Sequence, residues 1–151
     1  MQKQTEEKFK ECSHLLKKGE LLQADEILRE ILVNELDNEQ IQFAVNCSSY
    51  WMNVIRQMLD VTDDYERGEI FLHEWEQFVS FTEKQKYKAD ELVMYCYRSG
   101  IFSLALQSYS KLLDVQDFEQ RAEITRKIGL CYKKLGEYVT AKNFLNESNK
   151  L

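Results

Sequence analysis

The stretch from Arg121 to Leu151, RAEITRKIGLCYKKLGEYVTAKNFLNESNKL, decides the fold. A tight turn at Gly136-Glu137-Tyr138 divides it into two amphipathic helices. Ile124, Ile128, Cys131, Tyr132 and Leu135 recur at three- and four-residue steps and fall on one face of the first helix. Tyr138, Ala141, Leu145 and Ser148 do the same in the second. Gly129 and Ala141 carry almost no side chain, so the two backbones can approach closely where they meet.

The pattern returns upstream. Phe9, Cys12, Leu15 and Leu16 form a helical stripe that stops at Lys17-Lys18-Gly19, and Leu21, Ala24, Leu28, Ile31 and Leu32 form the next. Setting Gly19 on Gly136 brings Ala24 onto Ala141 and Leu28 onto Leu145. Setting Gly100 on Gly136 brings Phe102 onto Tyr138, Ala105 onto Ala141 and Tyr109 onto Leu145, with Val93 in the small-residue slot. The segment between is longer: Ile41, Ala44, Val45, Ser48, Trp51, Met52, Ile55 and Leu59 make one helix of six or more turns. Thr62-Asp63-Asp64 then marks a helix start, since such side chains accept hydrogen bonds from free backbone N–H groups. Tyr65, Gly68, Phe71, Leu72, Trp75, Phe78 and Val79 line the helix that follows.

Ile128, Gly129, Tyr132, Gly136, Tyr138 and Ala141 together resemble the tetratricopeptide repeat, TPR. Thr125 stands where that family usually has Trp, and Leu145 where it has Phe. The Gly100 to Gly136 interval is 36 residues against the family's 34, with Asp114 to Asp117 expected to absorb the excess. There is no proline, so Asp and Asn must set the turns between pairs by capping helices. The expected fold is all-α, with four antiparallel helix pairs near residues 5–34, 37–84, 86–115 and 118–150 in one domain. Each pair leaves an apolar face that stacking on a neighbour buries. The resemblance adds a right-handed superhelical, TPR-like solenoid whose concave face is lined by the first helix of each pair.

That groove, carried over position by position, would be lined by Asn53 and Gln57 from the second pair, and by Tyr87, Asp90, Met94, Tyr97 and Arg98 from the third. Glu123, Arg126, Leu130 and Lys133 would come from the fourth. Asn and Gln can hold peptide amides, Tyr and Met offer apolar pockets, and Arg and Lys pair with carboxylates. The family's carboxylate clamp does not carry over: Phe9, Ser13, Asp90 and Met94 occupy positions where it needs Lys, Asn and further basic residues. The resemblance implies a non-catalytic scaffold or adaptor that takes a peptide segment or helix of another protein. Two alternatives are a self-associating module, dimerising through terminal helices over Phe144, Leu145 and Leu151, and a peptide-sensing regulatory domain of a larger protein. Trp51, Trp75, Phe71, Phe78 and Phe81 concentrate aromatic mass in the second pair, most of it expected in the core, with a surplus such as Phe81 with Trp75 as the alternative of an exposed anchor.

Composition narrows the chemistry. The net charge of −6 argues against general nucleic-acid binding, which needs a basic surface. The charge is uneven, however. Residues 121–150 hold seven basic and three acidic side chains, a local +4 that would suit an acidic partner segment. No apolar run of about 18 residues exists to cross a membrane, and the first residues are too polar for a secretory signal. Cys12, Cys47, Cys96 and Cys131 never pair as CxxC and fall on apolar stripes as small hydrophobes, which points to a reducing, cytoplasmic setting. His14 and His73 are the only histidines; Glu69 and His73 share a helix face but supply two ligands where a closed zinc site needs four. There is no phosphate-binding loop, dinucleotide fingerprint or nucleophile elbow. No cofactor, metal or catalysis is expected.

Overall fold

Asx residues start four of the helices. Asn38, Asp63, Asp90 and Asp117 hold extended backbone, and their side-chain oxygens accept the amide N–H three residues on, at 2.9–3.1 Å. Such a cap stabilises a helix by about 0.5–2 kcal/mol. These caps do the work expected of them in a chain without proline. The computed structural model describes residues 1–114 and 117–150. Among the described residues there are seven helices and no strand: α1 (Lys3–Lys17), α2 (Leu21–Asn34), α3 (Glu39–Gln57), α4 (Asp64–Lys84), α5 (Glu91–Ser110), α6 (Phe118–Lys134) and α7 (Tyr138–Lys150). None is long and apolar enough to cross a membrane. Val115 and Gln116, within the stretch expected to absorb the extra length, lie outside the described residues, as does Leu151.

The first and last hairpins turn at the two glycines that the repeat alignment places together. At Gly19, with φ +81°, the Glu20 N–H donates to Leu15 O at 3.0 Å and the Gly19 N–H to Leu16 O at 3.0 Å. At Gly136, with φ +82°, the Glu137 N–H donates to Tyr132 O at 2.9 Å and the Gly136 N–H to Lys133 O at 3.1 Å. Both are Schellman turns, in which a residue free to adopt left-handed backbone lets the last carbonyls of the helix find donors. Gly129 also does what its size suggests: a Cβ there would come within 2.8 Å of Leu145 Cγ and 3.3 Å of the Ala141 carbonyl oxygen.

The third pair is not a pair. The expected turn at Gly100 is absent, and residues 91–110 form the single helix α5, so seven helices replace the expected eight. The physical reason is visible in the side chains. Val93, Cys96 and Tyr97, then Gly100 and Ile101, then Ala105, Ser108 and Tyr109 make one uninterrupted three- and four-residue stripe, and all are buried. A turn at Gly100 would swing half of that stripe away from the core. A mid-helix glycine costs only about 0.5–1 kcal/mol relative to alanine, far less than exposing those side chains.

α5 also explains how the helices are arranged. It packs against α4 and α6, and it crosses back onto α1. α1 in turn packs on α2, and α2 on α3. Helices α1 to α5 therefore close a circuit, which a stack of units touching only their sequence neighbours does not do. The α6–α7 hairpin is added on the side of α5. Aromatic rings stand between α3 and α4: Trp51 and Phe78 lie 5.3 Å apart, Tyr50 and Phe81 5.1 Å, and Phe78 reaches Tyr97 of α5 at 5.7 Å. Trp75 is buried and Phe81 is half-buried against Tyr50, so neither is the exposed anchor that the aromatic surplus suggested. All four cysteines are free and buried. Burial pushes the Cys12 and Cys131 thiols up to about 12, which suits packing rather than reactivity.

A Cβ at Gly100 would overlap the Leu16 carbonyl oxygen and stand 3.4 Å from the Gly19 nitrogen. Gly100→Ala should therefore destabilise the chain by about 2 kcal/mol despite alanine's better helix propensity, lowering Tm by about 6 °C in a thermal melt. Gly136→Ala meets no neighbour within 4 Å and should lose only the left-handed strain, about 1 kcal/mol.

Candidate functional site: a groove between α4, α5 and α6

Three helical stripes converge on one cleft of about 820 Å³. α4 contributes Glu69, Leu72, His73 and Glu76, which fall on one side of the helix within two turns, with buried Trp75 beneath. α5 contributes Tyr95, Arg98 and Phe102 at the same spacing. α6 contributes Lys127, Leu130, Lys133 and Lys134, and the turn into α7 adds Leu135, Gly136 and Tyr138. The floor is apolar. The rings of Trp75 and Phe102 meet edge-on with centroids 5.6 Å apart, and Leu72, Leu130 and Leu135 flank them.

The cations around this floor fall into two kinds. Lys127 is spent on the fold: its side chain is 15% exposed, and Nζ lies 3.1 Å from Glu69 Oε1 and 3.9 Å from Glu123 Oε1. The buried Tyr109 hydroxyl donates to Glu69 Oε1 at 3.0 Å, so one carboxylate ties α4 to both α5 and α6. Burial, and then the Glu69 charge, push the Tyr109 phenol well above its ordinary value and keep it a donor. Burial also pushes the Glu69 carboxyl up, but hydrogen bonds from Lys127 and Tyr109, the Lys127 charge and the Tyr65 hydroxyl outweigh it. The net result lies below the ordinary value. Arg98, Lys133 and Lys134 are of the other kind. All three are exposed, and none pairs with a described carboxylate. The Arg98 guanidinium lies 5.6 Å from the centre of the Tyr95 ring, which holds it at the groove's edge.

Of the residues expected from the sequence, the structure brings Arg98, Leu130 and Lys133 together here. Tyr97 is corrected: it is fully buried in the core, and its hydroxyl donates to the Ala44 carbonyl at 3.4 Å, so it lines no groove. Asn53 and Gln57 are exposed on α3, away from the cleft. Tyr87 lies between α4 and α5, half-buried, 5.3 Å from the Lys86 ammonium, and Met94 packs half-buried against the core. Asp90 caps α5 and accepts from Gln40 at 3.2 Å. Arg126 is held by Glu123 at 2.6 Å, outside the cleft.

The sequence reading missed the α4 wall and Tyr95. It assigned the groove to the first helix of each pair, which set α4 aside, and a turn at Gly100 obscured the register of α5. Glu69 and His73 do share a face, but Glu69 is taken by Lys127 and Tyr109, and no group of three or more potential ligands for a metal ion gathers among the described residues. Two other clefts exist. One of about 490 Å³ carries Asp63, Glu119 and Glu123 on its walls, and one of about 900 Å³ lies along α1. The α4–α5–α6 groove is distinguished by a floor of two aromatic rings in contact, Trp75 and Phe102, and by cations that outnumber the carboxylates on its walls, whereas the cleft along α1 sets Glu6, Glu7 and Glu11 against Lys10 and Lys17.

The Glu69 clamp gives a pH signature. A carboxylate held below its ordinary value of 4.5 stabilises the fold above that pH, and the contribution is lost as pH falls through the lower folded value. Glu69→Gln should destabilise the protein in urea unfolding at neutral pH, partly by leaving Lys127 charged and largely covered. The gap between wild type and variant should narrow below about pH 4.5. Among known proteins no family model, curated protein or solved structure matches this chain.

Proposed function

We infer that this chain is a non-catalytic interaction module, an adaptor that holds a segment of a partner protein in the α4–α5–α6 groove. The observation that carries the reading is the groove's composition. An aromatic and aliphatic floor with charges at its margin is the anatomy of a protein-binding surface, where apolar anchors supply affinity and rim charges supply orientation. The side chains at the groove suit binding better than bond-making. His73 is exposed, Glu69 four residues before it is tied to Lys127, and the four thiols are buried elsewhere in the core.

TPR-like character forms part of the same reading for the α1–α2 and α6–α7 hairpins, with their matching turns and small-residue contacts, while the return of α5 onto α1 speaks against a right-handed superhelical stack running through all the helices. A cytoplasmic setting accompanies it, on the ground that four thiols remain free.

Leu130→Ser with Tyr138→Ala removes apolar contact from the groove at one half-buried and one exposed position. Affinity capture with wild type, this pair and Asn53→Ala as an off-groove control should lose a common set of partners only with the groove pair. Circular dichroism melts check that the variants fold. Equal recovery by all three proteins would reject the groove.

A further inference from the structure

The α1–α2 and α6–α7 hairpins share one turn geometry, so their positions correspond. Setting Gly19 on Gly136 sets Ser13 on Leu130, Leu16 on Lys133, Lys17 on Lys134 and Leu21 on Tyr138. In the first hairpin α5 lies across the turn, burying Leu16 and leaving Lys17 exposed at its edge. Gly100 rests on the Leu16 carbonyl and on Gly19, and the Lys17 ammonium lies 5.3 Å from the Tyr95 ring centre. Ser13 is half-buried, its hydroxyl donating to the Phe9 carbonyl at 2.9 Å. In the second hairpin the counterparts Leu130, Lys133, Lys134 and Gly136 open onto the groove. Nothing lies within 4 Å of where a Gly136 Cβ would be, and Tyr138 is 68% exposed where its counterpart Leu21 is 3%. One hairpin carries a helix across its turn; the other presents the same surface uncovered.

We propose that the groove receives a helix of a partner protein, crossing the α6–α7 turn as α5 crosses the α1–α2 turn, with a small residue over Gly136 and carboxylates facing Lys133 and Lys134. This rests on the groove reading above and names its occupant. The small residue follows from α5, where only a glycine fits against the Leu16 carbonyl and Gly19. The carboxylates follow from the one chemical change at the crossing. Leu16, 3% exposed beneath α5, is replaced by exposed Lys133. A helix apolar at that point would strip water from an ammonium and leave it without a partner, whereas Asp or Glu completes an ion pair. Arg98 and Lys134 extend the same preference along the rim, and a basic helix would be repelled by all three.

A displayed library of helix-forming peptides, randomised along one face and selected on the full chain, tests this. Enriched sequences should carry Gly, Ala or Ser flanked by Asp or Glu. Resynthesised and measured by fluorescence anisotropy, they should lose roughly tenfold or more in affinity on the charge reversal Lys133→Glu with Lys134→Glu. They should also lose affinity on Gly136→Asn, since asparagine tolerates left-handed backbone and adds bulk at the crossing. Binding should weaken steeply with salt. Peptides of any charge that ignore the reversal but fail on Leu130→Ser with Tyr138→Ala would overturn the acidic helix and leave the groove standing. A library from which nothing is enriched, or whose winners bind the groove variants unchanged, would overturn both.

Discussion

Two glycines touching across a turn hold this fold together. Gly19 forms the turn of the first hairpin, Gly100 sits midway along α5, and a Cβ at either would fall 3.2–3.4 Å from the other's backbone. The contact demands different things of each residue. Gly19 must be glycine for its left-handed φ, and Gly100 must be glycine because the Leu16 carbonyl occupies the space of a Cβ. Once α5 is seated there, its remaining stripe reaches Phe78 through Tyr97, Trp75 through Phe102, and Gly68 through Tyr109. A crossing that a single methyl would disturb thus aligns the largest buried side chains of the molecule, and interiors packed at crystal-like density transmit such displacements.

The second organising interaction is electrostatic and lies at the groove itself. Glu69 receives Lys127 from α6 and the Tyr109 hydroxyl from α5, so the wall that lines the groove and the hairpin that borders it are held by one carboxylate. The partly covered pair settles the relative position of α4 and α6, while the apolar floor beside it needs no charge. The cations left over sit at the margin, hydrated and exposed. Had Lys127 been the groove's free charge and Lys133 its structural one, the floor would have been interrupted by a buried ammonium. As built, the charge that shapes the groove and the charges that face solvent are different residues.

Much of this was legible in the residues. The helices at both ends, the turns at Gly19 and Gly136, the helix start at Asp63 and the capping by Asp and Asn follow from local rules that tertiary structure did not override. Gly100 misled because a glycine flanked by apolar stripes reads as a turn when aligned to Gly136. What distinguishes the positions lies on either side. Gly19 and Gly136 are each followed by Glu and preceded within two residues by lysine, so the stripe breaks. Gly100 is followed by Ile101 and Phe102, which continue it. The return of α5 onto α1 had no local signal at all, since it joins residues about 80 positions apart and depends on a surface that exists only after α1 and α2 have paired. The groove residues split for the same reason: Arg98, Leu130 and Lys133 sit at positions carried over from the repeat resemblance, while their α4 counterparts are set by long-range packing.

The same hairpin is used twice, to opposite ends. At the start of the chain its turn is closed by α5 and becomes part of the core; at the end the equivalent turn stays open, with Gly136 and Tyr138 facing solvent. Stability divides accordingly. α1 to α5 support one another in a closed circuit, whereas α7 fully buries only Ala141 and packs mainly on α6. An open surface costs least in stability where the rest of the fold does not depend on it. Substituting Lys133 for the position of Leu16 completes the difference: a leucine left open there would invite indiscriminate apolar contact, while a lysine keeps the turn soluble and admits a charged complement.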